Sequence, residues 1–464
     1  MRHVAMVVPI AALVAAATSP GPASGQVRER PEVIADVEAL AARIKPALAS
    51  TKPDFVVFVP KVEAGGVNDT GNEHFLAFDG PDGSLMAVWT QSSVENYSAE
   101  MPADQHIAFA RSDDEGRTWT PPRIIAGPRK GGDGFMASWG YPMVSKSGRI
   151  YVLYSQHIGK HDSFFHHTGW LHGIRSDDAG KTWSAPQEVP VRRSSNDNPD
   201  LSYPPNMLCW QKPLRLGAGG KYLAGFTRWT SNAVRKRPIA SDWRSHDARV
   251  EFMRFENVDD DPEVGKLQIR WFAADDKALA VPFPGHPEVS ACQEPSIVKL
   301  PDGRLFVVMR TASGGPYWST SGDGGETWAA PRRLLRKDGG EPMLHPLSPC
   351  PIYDLGGNTA GSGRYALFIH NHDGHYKGYG PADASHHRRP IFKATGRFQA
   401  GADQPVWFDE PQFMMDHDGV SLGKPGTPGR TDFALYSSWT VRAGRAVLWY
   451  PERKFFLLGR IIPE

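Results

Sequence analysis

The sequence predicts an all-β protein in which about six small sheets close into a ring, a six-bladed β-propeller, with seven blades as the alternative. Three observations predict this fold. Short alternating strands bounded by Gly, Asp and Pro turns recur from Phe55 onward. One eight-residue turn motif occurs three times. Only one stretch has convincing helical periodicity, whereas strands are expected at residues 85–90, 106–111, 149–156, 222–228, 304–310, 364–371, 433–439 and 446–450.

The repeated motif reads Ser-x-Asp-x-Gly-x-Thr-Trp, and each copy follows a predicted strand. Its Ser and Asp side chains can hydrogen-bond the backbone of the turn, its Gly permits a positive φ, and its Trp can anchor the turn in a sheet. The first two copies lie 64 residues apart, which suits one blade with a long loop, and the next gap of 145 residues leaves room for two blades. The copies are Ser112–Trp119, Ser176–Trp183 and Ser321–Trp328.

The first 25 residues predict a secretory signal peptide. Arg2 and His3 precede an apolar run from Val4 to Ala17, and small residues follow as far as Gly25. The apolar run is shorter than the roughly 20 residues that a membrane span needs. We therefore expect a secreted or periplasmic protein that does not associate with a membrane.

The rest of the chain is expected to form a leader and one large domain. Residues 26–54 are the leader, and a short amphipathic helix is predicted over 31–50 because its apolar residues share one face. No linker or change in composition interrupts the chain after that, so the propeller domain is predicted over 55–464. The apolar residues that indicate the helix are Val33, Val37, Leu40, Ile44 and Leu48.

Composition restricts the classes of partner and the sources of stability. Charged residues make up 22% of the chain and the formal net charge is +1, which argues against nucleic acid as a partner. The three cysteines, Cys209, Cys292 and Cys350, could form one disulfide at most and are too few for a cysteine-based metal cluster. We expect a monomer that is stabilised mainly by its core.

The three turn motifs resemble the Asp-box turns of the sialidase-like propellers, the BNR-repeat superfamily. The resemblance implies that these turns lie at the periphery and stabilise the blades, away from the functional site. It implies no cofactor, apart from a structural calcium ion as an alternative. Because Asp-box turns also occur in propellers of other functions, they indicate the fold more strongly than the reaction.

The resemblance extends from about His74 to Tyr436 and implies a set of catalytic and substrate-binding residues. In sialidases a Glu stands in a Glu-Pro turn, one Arg ends the next strand, another Arg lies downstream, and a Tyr stands in a Tyr-Ser segment near the C-terminus. The order and the approximate spacing of these features match this chain. The corresponding residues are Glu294, Arg310, either Arg388 or Arg389, and Tyr436.

The chemistry of an acidic sugar explains these residue types. Retaining sialidases use a Tyr nucleophile, an exception among glycoside hydrolases, because a carboxylate nucleophile would be repelled by the substrate's own carboxylate. The resemblance implies that Tyr436 is the nucleophile and Glu294 its base. Arginine forks suit a substrate carboxylate. Asp104 is expected to protonate the leaving oxygen, although Glu95 and Glu100 lie on the same predicted loop.

One departure from the family pattern bears on the substrate. Sialidases carry an N-terminal segment with an Arg that completes a group of three carboxylate-binding arginines, but residues 72–78 of this chain contain none. Loss of one charge-assisted contact should weaken sialic-acid binding by about 1.5–3 kcal/mol. The chain is therefore predicted to act on another acidic sugar, or to use His74 and Arg228 differently.

We accordingly predict an exo-glycosidase that releases a terminal acidic sugar, sialic acid or a related carboxylated sugar, from a glycan or acidic polysaccharide. Two other functions are consistent with the sequence. A polysaccharide lyase could use His167, Tyr203 and Arg228 to neutralise a uronate and remove the adjacent proton. A non-catalytic sugar-binding propeller could stack sugars on exposed aromatic residues, for which the candidates are Trp139, Trp170, Trp229 and Trp318.

A cluster of histidines raises a further alternative, a metal site. The spacing matches no known ligand pattern, so hydrogen-bonding roles are favoured for these residues. They are His157, His161, His166, His167 and His172.

Overall fold

The computed structural model of the chain describes residues 32–463 apart from 64–65, 68, 93–103, 129–134, 164–166, 358–360, 375–377, 379, 381–387, 427–428 and 434. The predicted signal peptide lies outside the described residues, as do Glu95, Glu100 and His166. Within the described residues, no helix is long and apolar enough to cross a membrane.

The N-terminal part of the described chain is a helix followed by a strand. Helix α1 spans Val37–Thr51 and overlaps the predicted helix over 31–50 except for its last residue. It begins at Val37 because the side chain of Asp36 caps it, with Oδ1 accepting a hydrogen bond of 2.8 Å from the Ala39 backbone N–H. Strand β1, Phe55–Phe58, follows, and a small hairpin of β2, Val62–Glu63, and β3, Gly66–Val67, leads into the first blade.

Six antiparallel sheets of four or five strands form the blades. Blade 1 contains β4 Gly71–Asp79, β5 Leu85–Ser92, β6 His106–Ser112 and β7 Arg123–Ala126. Blade 2 contains β8 Ala137–Val144, β9 Ile150–Gln156, β10 Trp170–Ser176 and β11 Gln187–Glu188. Blade 3 contains β12 Met207–Leu208, β13 Leu214–Leu216, β14 Lys221–Trp229, β15 Ala248–Phe255 and β16 Ile269–Phe272.

A hairpin of β17, Pro282–Phe283, and β18, His286–Ser290, separates blade 3 from the second half of the ring. Blade 4 contains β19 Cys292–Lys299, β20 Leu305–Thr311, β21 Tyr317–Ser321 and β22 Arg332–Arg333. Blade 5 contains β23 Ile352–Asp354, β24 Arg364–Ile369, β25 Ile391–Phe398, β26 Val406–Phe408 and β27 Gln412–Met415. Blade 6 contains β28 Ser438–Arg442, β29 Arg445–Glu452 and β30 Phe456–Ile462. Short 3-10 helices lie at Gly217–Gly219, Trp243–Ser245, Val258–Asp260, Val264–Lys266 and Asp275–Lys277.

The N-terminal strand closes the ring. Strand β1 pairs antiparallel with β30 and becomes the outermost strand of blade 6, with Phe55 opposite Gly459. This pairing joins the two ends of the propeller chain in one blade, and the outermost strand of each blade remains a short edge. The six-bladed propeller predicted from the sequence is confirmed.

The three Asp-box turns join the third and fourth strands of blades 1, 2 and 4. In the copy on blade 4, Asp323 Oδ1 accepts hydrogen bonds from Ser321 Oγ at 2.8 Å and from the Thr327 backbone N–H at 2.9 Å. The Trp of each copy packs on the preceding blade; Trp328, for example, stacks on Phe252 of blade 3 with ring centroids 4.1 Å apart. The turns therefore join neighbouring blades.

Alternating strand directions separate these turns from the opposite end of the propeller. First strands start, and second strands finish, at one end of the ring, here called the mouth, whereas third strands finish at the other end. Glu294 near the start of β19 and Arg310 near the end of β20 therefore lie at the mouth. Ser321 at the end of β21 lies at the opposite end, so the Asp-box turns are remote from these two residues.

Candidate active site

A β-bulge places Glu294 in the mouth. The pairing of β19 with β20 shifts between Gln293 and Ser296, and Glu294 has a φ of 49°, in the left-handed region that non-glycine residues rarely adopt. Its backbone N–H donates to Thr227 Oγ1 of blade 3 at 2.7 Å, which holds the bulge in place. The bulge turns the carboxylate out of the regular alternation of the strand.

The carboxylate of Glu294 contacts a phenol and a guanidinium. Tyr436 Oη donates a hydrogen bond of 2.7 Å to Glu294 Oε1, and Arg310 Nη1 donates one of 2.6 Å to Glu294 Oε2. Arg310 Nη1 also lies 3.2 Å from Tyr436 Oη. All three side chains are at least 94% buried. The structure thus brings together three of the residues that the sequence placed in one site, although they lie far apart in the chain.

The surroundings of Tyr436 have opposing effects on its ionisation. Burial raises the pKa of the phenol well above its usual value, and the negative charge of Glu294 raises it further. The positive charges of Arg310 and Arg388 act in the opposite direction and lower that pKa. A free phenolate is therefore disfavoured, and Tyr436 can act as a nucleophile only if its proton moves to Glu294 as it attacks.

Aromatic rings surround the phenol. The ring of Trp139 lies 5.4 Å from that of Tyr436 and the ring of Trp210 lies 6.0 Å away, both in edge-to-face arrangements. Trp229 belongs to the same buried cluster and stacks on His167 at 3.9 Å. Of the four tryptophans considered for sugar stacking, Trp139 and Trp229 therefore lie near Tyr436.

The other two tryptophans have different surroundings. Trp318 stacks on Phe306 within blade 4, where both belong to the hydrophobic core. Trp170 is half-buried at the start of β10.

The structure distinguishes between the two candidate arginines of blade 5. Arg388 is buried, donates to the Leu347 carbonyl at 3.2 Å, and its Nε has no hydrogen-bond partner among the described residues. Arg389 instead contacts His417 at 3.2 Å and lies 3.5 Å from Asp416 Oδ1. Because Arg388 acts on the Tyr436 phenol and Arg389 is engaged elsewhere, Arg388 is the better candidate for binding a substrate anion.

Arg228 lies in a separate, fully paired cluster. Its Nε donates to Glu251 at 3.0 Å, its Nη1 to Asp197 at 2.8 Å, and its Nη2 to the Arg192 carbonyl at 3.3 Å. Two carboxylates therefore neutralise a guanidinium that is 1% exposed. The expectation that Arg228 contacts substrate conflicts with this geometry, both for the hydrolase and for the lyase.

The remaining sequence candidates are His74 and Asp104. His74 is completely buried, and its Nε2 lies 2.7 Å from the Trp210 carbonyl oxygen. Asp104 is half-buried just before β6, and its carbonyl oxygen lies 2.9 Å from His106 Nδ1. Its role as the acid that protonates the leaving oxygen stays a prediction.

The described residues include no group of three or more His, Cys, Asp or Glu side chains that could hold a metal ion. His157 Nδ1 accepts a hydrogen bond of 3.0 Å from the Gly159 backbone N–H, and His172 packs 6.3 Å from the Tyr154 ring. The histidines of this region are thus dispersed over separate contacts. The three cysteines are all buried and unpaired.

Sequence reasoning missed a lysine beside Tyr436 and the carboxylate that pairs with it. Lys454 Nζ lies 5.5 Å from the centroid of the Tyr436 ring and donates to Glu73 Oε2 at 2.5 Å. Glu73 directly precedes His74 in the segment that departs from the family pattern, and that departure is the sequence signal for it. Lys454 lies in the short turn between β29 and β30, and no local pattern distinguishes it from an ordinary surface lysine.

The fold and the arrangement at the mouth define a sialidase-like BNR β-propeller. Residues 83–375 match the family model described as a BNR repeat-like domain, and the chain belongs to this family. No curated protein matches the chain at a significant level.

Solved structures share the fold at low sequence identity. A protein of unknown function from Dyadobacter fermentans is 16% identical, with 89% of this chain and 98% of that chain covered and a TM-score of 0.56. The intramolecular trans-sialidase of Ruminococcus gnavus is 14% identical, with 90% and 98% covered and a TM-score of 0.56. The Hadza microbial sialidase Hz136 is 16% identical, with 85% and 66% covered and a TM-score of 0.53. At these identities the likeness shows the fold alone.

Proposed function

We propose that the protein is a secreted, monomeric glycoside hydrolase that releases a terminal acidic sugar from a glycan with retention of configuration. The observation that carries the proposal is the hydrogen bond of 2.7 Å from Tyr436 Oη to Glu294 Oε1, with Arg310 against both groups. A nucleophile within hydrogen-bond reach of a base that is itself held by a third group is the arrangement that covalent catalysis requires. The sialidases among the similar structures support an acidic sugar as substrate.

The first step forms a glycosyl–tyrosine intermediate. Tyr436 Oη attacks the anomeric carbon while its proton passes to Glu294, and the bond from that carbon to the leaving oxygen breaks. The leaving oxygen receives a proton from Asp104. Because burial and Glu294 both raise the pKa of Tyr436, proton transfer accompanies the attack and does not precede it.

The second step releases the sugar. Asp104 removes a proton from a water molecule as the water attacks the anomeric carbon, the bond from carbon to Tyr436 Oη breaks, and Glu294 returns the proton to the phenol. Two inversions at one carbon give net retention. Arg310 and Arg388 bind the carboxylate of the sugar, and a neutral phenol avoids the repulsion that an attacking carboxylate would experience.

The direct test is Tyr436→Phe, measured on aryl glycosides of sialic acid and of hexuronic acids. We expect a loss of kcat of about 1,000-fold or more, with an unchanged circular dichroism spectrum. Tyr450→Phe is the matched control, because the Tyr450 hydroxyl is also buried and has no partner among the described residues, yet lies outside the site. Tyr450→Phe should keep wild-type activity.

A second measurement examines the intermediate itself. A fluorinated acidic sugar that slows hydrolysis of the intermediate should add one sugar mass to the peptide that contains Tyr436. Turnover that persists in Tyr436→Phe, or labelling of a different residue, would show that the nucleophile is wrongly assigned. An unsaturated uronate as the product would instead support the lyase alternative.

A further inference from the structure

One structural device is repeated in the first strands of blades 1, 2 and 4. Each strand has a register shift at the same place, and the residue in the bulge has a positive φ. The three residues are His74 with a φ of 56°, Trp139 with 58° and Glu294 with 49°. Bulges of this kind redirect side chains next to active sites. Since the bulge in blade 4 directs Glu294 at Tyr436, the same bulge in blade 1 directs His74 into the same cluster.

His74 lies directly beside the nucleophile. The backbone N–H of Phe75, the next residue, donates to the Tyr436 carbonyl at 3.1 Å. The His74 ring lies 5.1 Å from the ring of Trp139, which in turn packs against the Tyr436 phenol. His74 therefore borders the aromatic cluster that surrounds the Tyr436 phenol.

The hydrogen bonds of His74 determine what it can offer to a ligand. Its Nε2 faces the Trp210 carbonyl, which can only accept, so Nε2 carries the proton. Burial lowers the pKa of His74 to about 4, against smaller opposing effects of that carbonyl and Glu73, so the ring is neutral at pH 7. Nδ1 is then a bare acceptor, buried and without a partner among the described residues. Buried acceptors of this kind are rare unless a ligand or water completes them.

We propose that His74 determines substrate specificity by accepting a hydrogen bond from a sugar hydroxyl on the carbon next to the anomeric carbon. This inference rests on the proposed function. Hydrogen bonds to that hydroxyl strengthen in the transition state of glycoside hydrolysis, which makes a preorganised acceptor beside the nucleophile effective. The substrate class is then a hexuronoside, which carries both this hydroxyl and a carboxylate.

The charges around the site also favour a hexuronoside over a sialoside as the substrate. The positive charges of Arg310 and Arg388 both lower the pKa of Tyr436 and would attract a carboxylate, whereas the neutral lone pair of His74 would repel a carboxylate placed against it. A sialoside has a methylene group at the carbon next to its anomeric carbon and cannot donate there. A hexuronoside can place its carboxylate near the arginines and its hydroxyl against His74.

The experiment is a cycle of two changes, one in the protein and one in the substrate. The probes are methylumbelliferyl glucuronides of both anomers, the analogues that lack the hydroxyl next to the anomeric carbon, and a methylumbelliferyl sialoside. The variants are His74→Phe, which removes the acceptor, and His74→Gln, which can keep a donor for the Trp210 carbonyl. Removing the hydroxyl should lower the kcat/KM of the wild type by about 10- to 100-fold. In His74→Phe the same removal should cost less than about 3-fold, whereas His74→Gln, whose amide oxygen can still accept, should keep part of the cost.

Each outcome bears on the inference. An equal cost of removing the hydroxyl in wild type and variants overturns it, as does a sialoside that is hydrolysed faster than both glucuronides, or a wild type that hydrolyses neither glucuronide. Failure of the proposed function would look different. Turnover by Tyr436→Phe would refute the nucleophile even if the His74 cycle held, whereas a preferred sialoside with an essential Tyr436 would refute the His74 inference alone.

Discussion

Two buried arginines of neighbouring blades, Arg228 and Arg310, differ in how completely their guanidinium groups are hydrogen-bonded. Arg228 is the last residue but one of β14 and Arg310 the last but one of β20, both strands run toward the mouth, and both side chains are almost completely buried. Arg228 uses three nitrogens on two carboxylates and a carbonyl. Arg310 shares one carboxylate with a phenol, and its Nε has no partner among the described residues. A guanidinium whose N–H groups are all paired within the protein stabilises the fold, whereas a guanidinium with an unpaired N–H can bind a substrate anion.

A difference of one residue in register explains the contrast. Thr227 pairs with Leu208 and its hydroxyl accepts from the backbone N–H of Glu294 in the next blade. Thr90 of blade 1 accepts in the same way from Trp139, so these threonines occupy equivalent positions. Arg310 pairs with Gln293 as Thr90 pairs with Glu73, each opposite the residue before a bulge, so Arg310 occupies the position of these threonines. Arg228 is one residue further along its strand and, since neighbouring residues point to opposite faces, it points away from the face on which Thr227 lies.

The largest expected effect is on stability, from Arg228→Met. The change leaves Glu251 buried without its cation and leaves Asp197 with only Arg193, whose Nε lies 3.6 Å away, and should lower the free energy of unfolding by about 3–5 kcal/mol. Because burial already raises the pKa of Glu251, and loss of Arg228 would raise it further, protonation should relieve the loss as the pH falls. Denaturant unfolding at pH 5 and pH 7 measures both effects.

The control for this variant is Arg192→Met. Arg192 pairs with Asp275 but is 42% exposed, so its loss should cost less than about 1 kcal/mol. The kcat of the folded Arg228→Met fraction should equal that of the wild type. A large loss of kcat with unchanged stability would mean that Arg228 contacts substrate after all.

The next largest effect is expected from Arg310→Lys. Lysine keeps the charge near Glu294 but loses the planar fork, so kcat/KM should fall by about 100-fold, equivalent to about 2.7 kcal/mol. Stability should change by less than about 1 kcal/mol, which separates this variant from Arg228→Met. Steady-state kinetics on an acidic aryl glycoside and thermal unfolding together make the measurement. Normal kinetics would refute a role for Arg310 in binding or catalysis.

The sequence could predict the propeller and the Tyr436–Glu294–Arg310 set, because Asp-box turns and the Glu-Pro and Tyr-Ser segments are local patterns. It could not predict that Arg228 is paired within the protein, because its partners Asp197 and Glu251 lie 31 and 23 residues away in the chain and contact it only in the folded blade. Arg388 and Arg389 lie just before β25, and the choice between them depends on the direction of each side chain. Neither residue belongs to β25, so the alternation of side chains along a strand does not predict their directions.

The two arginines of blade 5 allow a matched comparison of smaller size. Arg388→Gln should raise the KM for an acidic aryl glycoside by about 10-fold, because one charge-assisted contact to the carboxylate is lost. Arg389→Gln should leave KM within about 3-fold of wild type and lower stability instead, since Arg389 contacts Asp416 and His417. The reverse pattern would assign substrate binding to Arg389.

The smallest effect is expected at the end of the propeller opposite the site, from Asp323→Asn. Burial alone would raise the pKa of Asp323, but hydrogen bonds from Thr327, Ser321 and Glu326 outweigh it and lower the pKa to about 2. Between about pH 2 and the usual value near 3.8, the Asp323 carboxyl is protonated more in the unfolded chain than in the folded chain. Its contribution to stability is therefore complete above about pH 3.8 and is lost as the pH falls toward 2. After allowance for solvent screening of this largely exposed group, it amounts to about 1 kcal/mol.

Denaturant unfolding of Asp323→Asn should show this loss at pH 7 and a smaller one as the pH falls through 3.8 toward 2. Asp178→Asn changes the equivalent residue of blade 2, whose pKa is also lowered to about 2, and should behave alike. Because both turns lie at the end of the ring away from Tyr436, kcat should be unchanged in each variant. A loss of kcat without loss of stability would show that the two ends of the propeller are coupled. Activity would then depend on the Asp-box turns as well as on the charge pairs at the mouth.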